Sequence, residues 1–160
     1  VASKLLLKVG EVGNAELAQI LVDSGVDVSV NMIDTNTPLR AACGAGHLKV
    51  VQILVDANCD ISATDWQGNT ALTAAIAAGH LTIAKMLMQN GAVISAANQQ
   101  VASKLLLKVG EVGNAELAQI LVDSGVDVSV NMIDTNTPLR AACGAGHLKV
   151  VQILVDANCD

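Results

Sequence analysis

Several side chains here belong to types that do chemistry elsewhere. Serines, cysteines, aspartates and the histidines His47, His80 and His147 supply the ingredients of a nucleophile–base pair or triad. Asp56 and Asp60 lie close enough in sequence to suggest paired carboxylates for acid–base work. Gly44-Ala45-Gly46 offers a small-residue turn near a helix end, too short and wrongly placed to cradle phosphate. The four cysteines are two, Cys43 and Cys59, seen again as Cys143 and Cys159, and no CxxC pair gives zinc-ligand spacing. Each of these residues recurs at a fixed step along the chain, and that assigns it a structural position before a catalytic one. The two aspartates are expected on solvated turns, and the thiols as reduced, buried small hydrophobes.

The elements that carry these residues repeat with two periods. Residues 1–60 return unchanged at 101–160, a period of 100. Inside it, Thr37-Pro38-Leu39 returns as Thr70-Ala71-Leu72, 33 residues later, and Gly13-Asn14, Gly46-His47 and Gly79-His80 follow the same step. Each short unit predicts two helices. Thr37 suits an N-cap and Pro38 the first helical position, Leu39–Cys43 forms a first helix of mostly small residues, and Gly46 ends it. A second helix starts near His47, with Leu48, Val51, Leu54 and Val55 on one face and Lys49, Gln52 and Asp56 on the other. Asn58 stops it, where the sister units have Gly25 and Gly91. Asp65-Trp66-Gln67-Gly68 then reads as a turn. One such pair cannot bury its own apolar side, so stability must come from stacking on neighbours.

Asn36-Thr37-Pro38-Leu39-Arg40-Ala41-Ala42 with Gly46-His47-Leu48, and Asp65–Leu72 with Gly79-His80-Leu81 and Asn90-Gly91-Ala92, closely resemble the ankyrin repeat. The resemblance spans essentially the whole chain. It implies an all-α, ankyrin-type solenoid of stacked helix–turn–helix units joined by short β-hairpin or loop connections, one array over 1–160. Its units would run 1–31 (partial), 32–64, 65–97, 98–131 and 132–160 (partial). It also implies a non-catalytic scaffold without cofactor or metal, touched by protein partners at the hairpin tips and on a concave face of first helices. Carried over residue by residue, the partner-binding positions are Ile33, Asp34 and Asn36, then Trp66, Gln67 and Asn69, then Gln99 and Gln100. Gly44, Ala45, Ala77, Ala78, Glu111 and Val112 would line the concave face.

The chain departs from that family's pattern at informative places. Arg40, Thr73 and Leu107 stand where the family has the His of Thr-Pro-Leu-His, so the loop contacts which that His makes must be made otherwise. Thr35 and Val101 replace the Gly kept at Gly68, which predicts looser hairpins there. The unit around Lys104–Gly110 is the most divergent. Trp66, the sole aromatic, is the sharpest contact candidate; the alternative is that it folds back on Asn36 or Gln99.

Composition narrows the partners. Apolar residues make up 52% and charged residues 15%, which excludes disorder. A net charge of −6 with no basic block and no Phe or Tyr argues against nucleic acid and anionic membrane surfaces. Residues 66–84 carry no charge, but they contain five Gln, Asn, Thr or His side chains before Thr82 and are broken at Gly79-His80, a poor membrane span. Unpaired cysteines and no visible signal peptide favour the cytoplasm. Between Asp65 and Lys104 only Lys85 is charged, and such bland surfaces favour association with copies of themselves. The leading expectation is therefore a structural, self-associating filament or spacer, a window of a longer array. A soluble adaptor for another protein, or an ankyrin segment of a larger enzyme or channel, are the alternatives.

Overall fold

Thr37 caps the first helix of its pair as the sequence predicts: its hydroxyl accepts from the Arg40 N–H at 3.1 Å, and Pro38 occupies the first helical turn. Thr70 and Thr73 cap the next pair reciprocally, each hydroxyl accepting the other's backbone N–H, at 3.3 and 2.8 Å. Asn14 does the same work for a second helix, its side chain accepting from the Leu17 N–H. The computed structural model describes residues 2–29, 36–65, 67–94, 99–128 and 137–157. Among these, every regular element is helical and no strand occurs.

The contacts divide the chain into two compact units, Val1–Val93 and Ile94–Asp160. The first holds α1 (Ala2–Val12), α2 (Ala15–Asp23), α3 (Pro38–Ala45), α4 (Leu48–Asp56), α5 (Ala71–Ala77) and α6 (Leu81–Gln89). The first helices pack in a row, α1 on α3 and α3 on α5, while α2, α4 and α6 form a second row behind them. The second unit holds α7 (Gln99–Val112), α8 (Ala115–Asp123), α9 (Pro138–Ala145) and α10 (Leu148–Ala157), with α7 on α9 and α8 on α10.

Burial follows this layering. Leu6 and Val9 of α1, Leu39 and Cys43 of α3, and Leu72 and Ile76 of α5 fill the seams between first helices. Leu54 and Leu87 are fully buried on α4 and α6, in successive layers and not in one shared centre. Each such leucine contributes about 1.5–3 kcal/mol by leaving water. The face predicted for α4 needs one correction: Val50 is buried with Val51, Leu54 and Val55, whereas Leu48 stays 40% exposed. Leu48 lies at the edge of that face and lines an outer groove with Lys49 and Gln52, beside Thr82 and Lys85 of α6.

The ends of the helices also follow from residue type. Gly46 closes α3 with φ +83, and the ring of His80 from the next pair lies where a side chain on Gly46 would be. Asn58 takes φ +57 just beyond α4, as its sister glycines do at their own turns. The helix of the divergent unit forms in full. At 14 residues, α7 is longer than α3 or α5, because Gln99 and Gln100 extend it at its start. No Thr-Pro cap and no turn glycine stop it there.

Candidate protein-binding surface

Asp65 organises the loop that leads into α5. Its carboxylate accepts the N–H groups of Gln67 (2.8 Å) and Asn69 (2.9 Å) through Oδ1 and the Asn69 side-chain amide through Oδ2 (3.0 Å). Arg40, one helix pair earlier, reaches the same Oδ2 at 2.8 Å. The Asp65 side chain is only 3% exposed and that of Arg40 25%. Burial disfavours the Asp65 charge, yet the donors of Asn69, the N–H of Gln67 and the Arg40 guanidinium outweigh it and hold the carboxyl below its ordinary value. Arg40 occupies the place of the family's loop-tying His, so this ion pair supplies the missing tie. Ser29 adds a second link between successive pairs, its hydroxyl accepting from the Asp60 N–H at 3.1 Å.

The histidines serve as rivets between pairs. His47 Nε2 donates to the carbonyl of Glu11 at 3.0 Å, and its ring fills the space beside Gly13, which has φ +83. His147 repeats the bond to Glu111 at 3.1 Å. Each ring is thereby held in a structural contact between helix pairs.

The buried thiols of Cys43 and Cys59 are unsuited to catalysis. Burial, with Cys59 nearby, pushes Cys43 up to about 12, and burial with Asp60 nearby pushes Cys59 up to about 11. Both stay protonated and poorly nucleophilic near neutrality. Asp56 accepts the Gln52 amide at 2.7 Å, while the Ser62 hydroxyl and N–H hold Asp60 below its ordinary value. Asp60 therefore serves the turn after α4 as expected, whereas Asp56, expected on a turn, is the last residue of α4 and braces its final turn through Gln52. Among the described residues no cluster of His, Cys, Asp and Glu could hold a metal ion, and no helix is long and apolar enough to cross a membrane.

A shallow groove of about 320 Å³ runs along the first helices of the first unit. Glu11, Asn36 and Arg40 give it polar walls, and Ala41, Gly44, Ala45 and Ala74 its floor. It brings together Asn36 with Gly44 and Ala45, three residues the sequence placed on the partner surface. Gln67 is exposed on the Asp65 loop, and the Asn69 side chain is occupied by Asp65 and Gln67, so neither lines the groove. Ala77, Ala78, Glu111 and Val112 are exposed at or near the ends of their first helices. Gln99 and Gln100, expected at a hairpin tip, instead form the first turn of α7. Ile33, Asp34 and Trp66 lie outside the described residues. Sequence reasoning missed Glu11, Ala74 and the Arg40–Asp65 pair. The signal for the last was present: an Arg at the His position and an acidic residue at the head of the next unit.

Paired helices in rows, glycine-ended first helices and histidine rivets define a helical repeat protein. The chain belongs to the ankyrin repeat family: "Ankyrin repeats (3 copies)" matches residues 5–98, and "Ankyrin repeat" matches residues 134–160. No curated protein matches the chain. Ankyrin repeats are protein–protein interaction modules and generally lack chemistry of their own.

Proposed function

We propose that this chain is a non-catalytic scaffold that holds a segment of a protein partner in the groove of its first helices. The groove itself carries the reading. Its floor of Gly and Ala lets a partner backbone approach closely, and Glu11, Asn36 and Arg40 offer both hydrogen-bond signs along its edge. The His47 ring held on the Glu11 carbonyl and the buried, protonated Cys43 thiol support a role without catalysis. Ala45 is exposed, so Ala45→Arg fills the groove without touching the core. Capture of partner from cell extract should fall at least about tenfold in that variant. Lys49→Ala, on the row of second helices, should leave it unchanged. Equal capture by all three proteins would remove the groove from the account.

A second reading is self-association into a filament or spacer, repeated over a longer array. The large apolar side chains left in solvent favour it, Leu148, Val155 and Val112 among them. Sedimentation over a range of concentrations tests it, and a strictly monomeric species throughout would count against it.

A further inference from the structure

Four of the second helices share one brace. In each a Gln amide donates to the Asp four residues on: Gln19 to Asp23 and Gln119 to Asp123 at 2.8 Å, Gln52 to Asp56 and Gln152 to Asp156 at 2.7 Å. The remaining described second helix, α6, departs from this, with Lys85 and Gln89 at the two positions. Charge changes with them. Helices α2 and α8 each contain two carboxylates and no cation, and α4 and α10 one of each. Helix α6 contains one lysine and no carboxylate. In a chain of net charge −6, it is the one described second helix with a positive balance.

This departure falls on a concavity. The outer groove between α4 and α6 encloses about 380 Å³. Leu48 and Met86 give it apolar surface, and Lys49 and Lys85 place one cation on each of its two helices. None of its lining residues is acidic. Leu48 is 40% exposed and Met86 half-buried, so the apolar surface is open from outside. An unbranched thioether such as Met86 adapts its shape to an apolar neighbour.

We propose that this outer groove takes an acidic amphipathic helix from a protein partner, its apolar stripe on Leu48 and Met86 and its carboxylates beside Lys49 and Lys85. Two features select that occupant. A groove between two packed helices accepts a third helix along its length, with apolar side chains as anchors. The two cations, on a protein whose net charge repels acidic chains, decide where on its surface such a helix can settle. The groove of the first helices shares no residue with this one, so the proposal stands whether or not that groove takes a partner. Lys49→Ala separates the two surfaces: it should spare capture at the first helices and weaken binding here.

The test uses the full chain and a fluorescein-labelled synthetic peptide of about 14 residues, long enough to lie along α4 and α6. Leu recurs on one face of the peptide at three- and four-residue spacing, and Glu flanks it. Fluorescence anisotropy should show saturable binding that weakens as salt rises. The informative variant gives α6 the brace of its sisters, Lys85→Gln with Gln89→Asp. Four helices of this chain fold with that pair, and circular dichroism checks that α6 does too. Affinity should fall at least about tenfold, because a cation is lost and a carboxylate gained beside the peptide's own. Replacing every Glu of the peptide by Gln, or every Leu by Gln, should each weaken binding at least about tenfold. Unchanged affinity in the double variant overturns the proposal, as does the lack of saturable binding by the parent peptide. Equal binding by the peptide without Leu also overturns it, since that would be a general attraction of acidic chains to lysine.

Discussion

Arg40 Nη2 lies 2.8 Å from Asp65 Oδ2, across the step from one helix pair to the next. Asp65 also ties its own loop through Gln67 and Asn69, so it holds both the loop's shape and the loop's position. Removing the two partners should therefore cost unequal amounts. Asp65→Ala should destabilise the chain by about 3 kcal/mol, because it strips several part-buried donors of their shared acceptor at once. Arg40→Ala should cost about 1–2 kcal/mol, since the loop keeps its other bonds. Urea unfolding followed by circular dichroism measures both, and equal losses would mean the loop contributes little.

The same carboxylate gives an acid dependence of known sign. Its folded pKa is depressed, so its stabilisation is present above the unfolded value, near 3.9, and is lost as pH falls through the lower folded value. Melting temperature should drop below about pH 4. Asp65→Asn should melt lower than the parent at pH 7, with the gap closing as acid protonates the parent. A gap that is constant from pH 7 to pH 2 would assign the effect to shape and not to charge.

His47 and Gly13 should be coupled energetically. A side chain on Gly13 meets the His47 ring and must also adopt φ +83, so Gly13→Ala should cost about 1–2 kcal/mol or more. In a His47→Ala background the ring is gone and only the backbone cost remains. The double variant should therefore lose less than the two single losses added together, and strict additivity would separate the two residues.

The duplicated sequence allows one substitution to be read in two surroundings. Leu39→Ala removes a buried side chain with neighbours on both sides and should cost about 2–5 kcal/mol. Leu139→Ala removes the same side chain where it is half-buried, and should cost about half as much. Equal losses would show that α5 adds little to the layer it covers.

Much of this architecture was legible in the residues. Thr37-Pro38, Gly46 and Asn58 mark helix ends by local backbone chemistry, and local chemistry does not depend on distant partners. The apolar spacing of Val51, Leu54 and Val55 marks a buried face in the same way. Leu48 was misplaced because the buried face centres on Val50, Val51 and Leu54, which turns Leu48 toward Lys49 and Gln52. Gln99 and Gln100 were misplaced because a unit boundary was carried over from sister units with a cap that this one lacks. The groove was half legible: Asn36, Gly44 and Ala45 follow from the register of one unit. Glu11 and Ala74 come from the flanking units and join only when the layers stack.

Two stretches of the same sequence pose a problem of choice for α5 and α6 during folding. Composition cannot discriminate between Pro38–Asp56 and Pro138–Asp156, because they are the same words in the same order. Only the tether does: residues 57–70 keep α5 beside α4 at an effective concentration of about millimolar. Refolding in dense solution erodes that advantage, and exchange of helix pairs between identical sites on different molecules becomes the natural wrong turn.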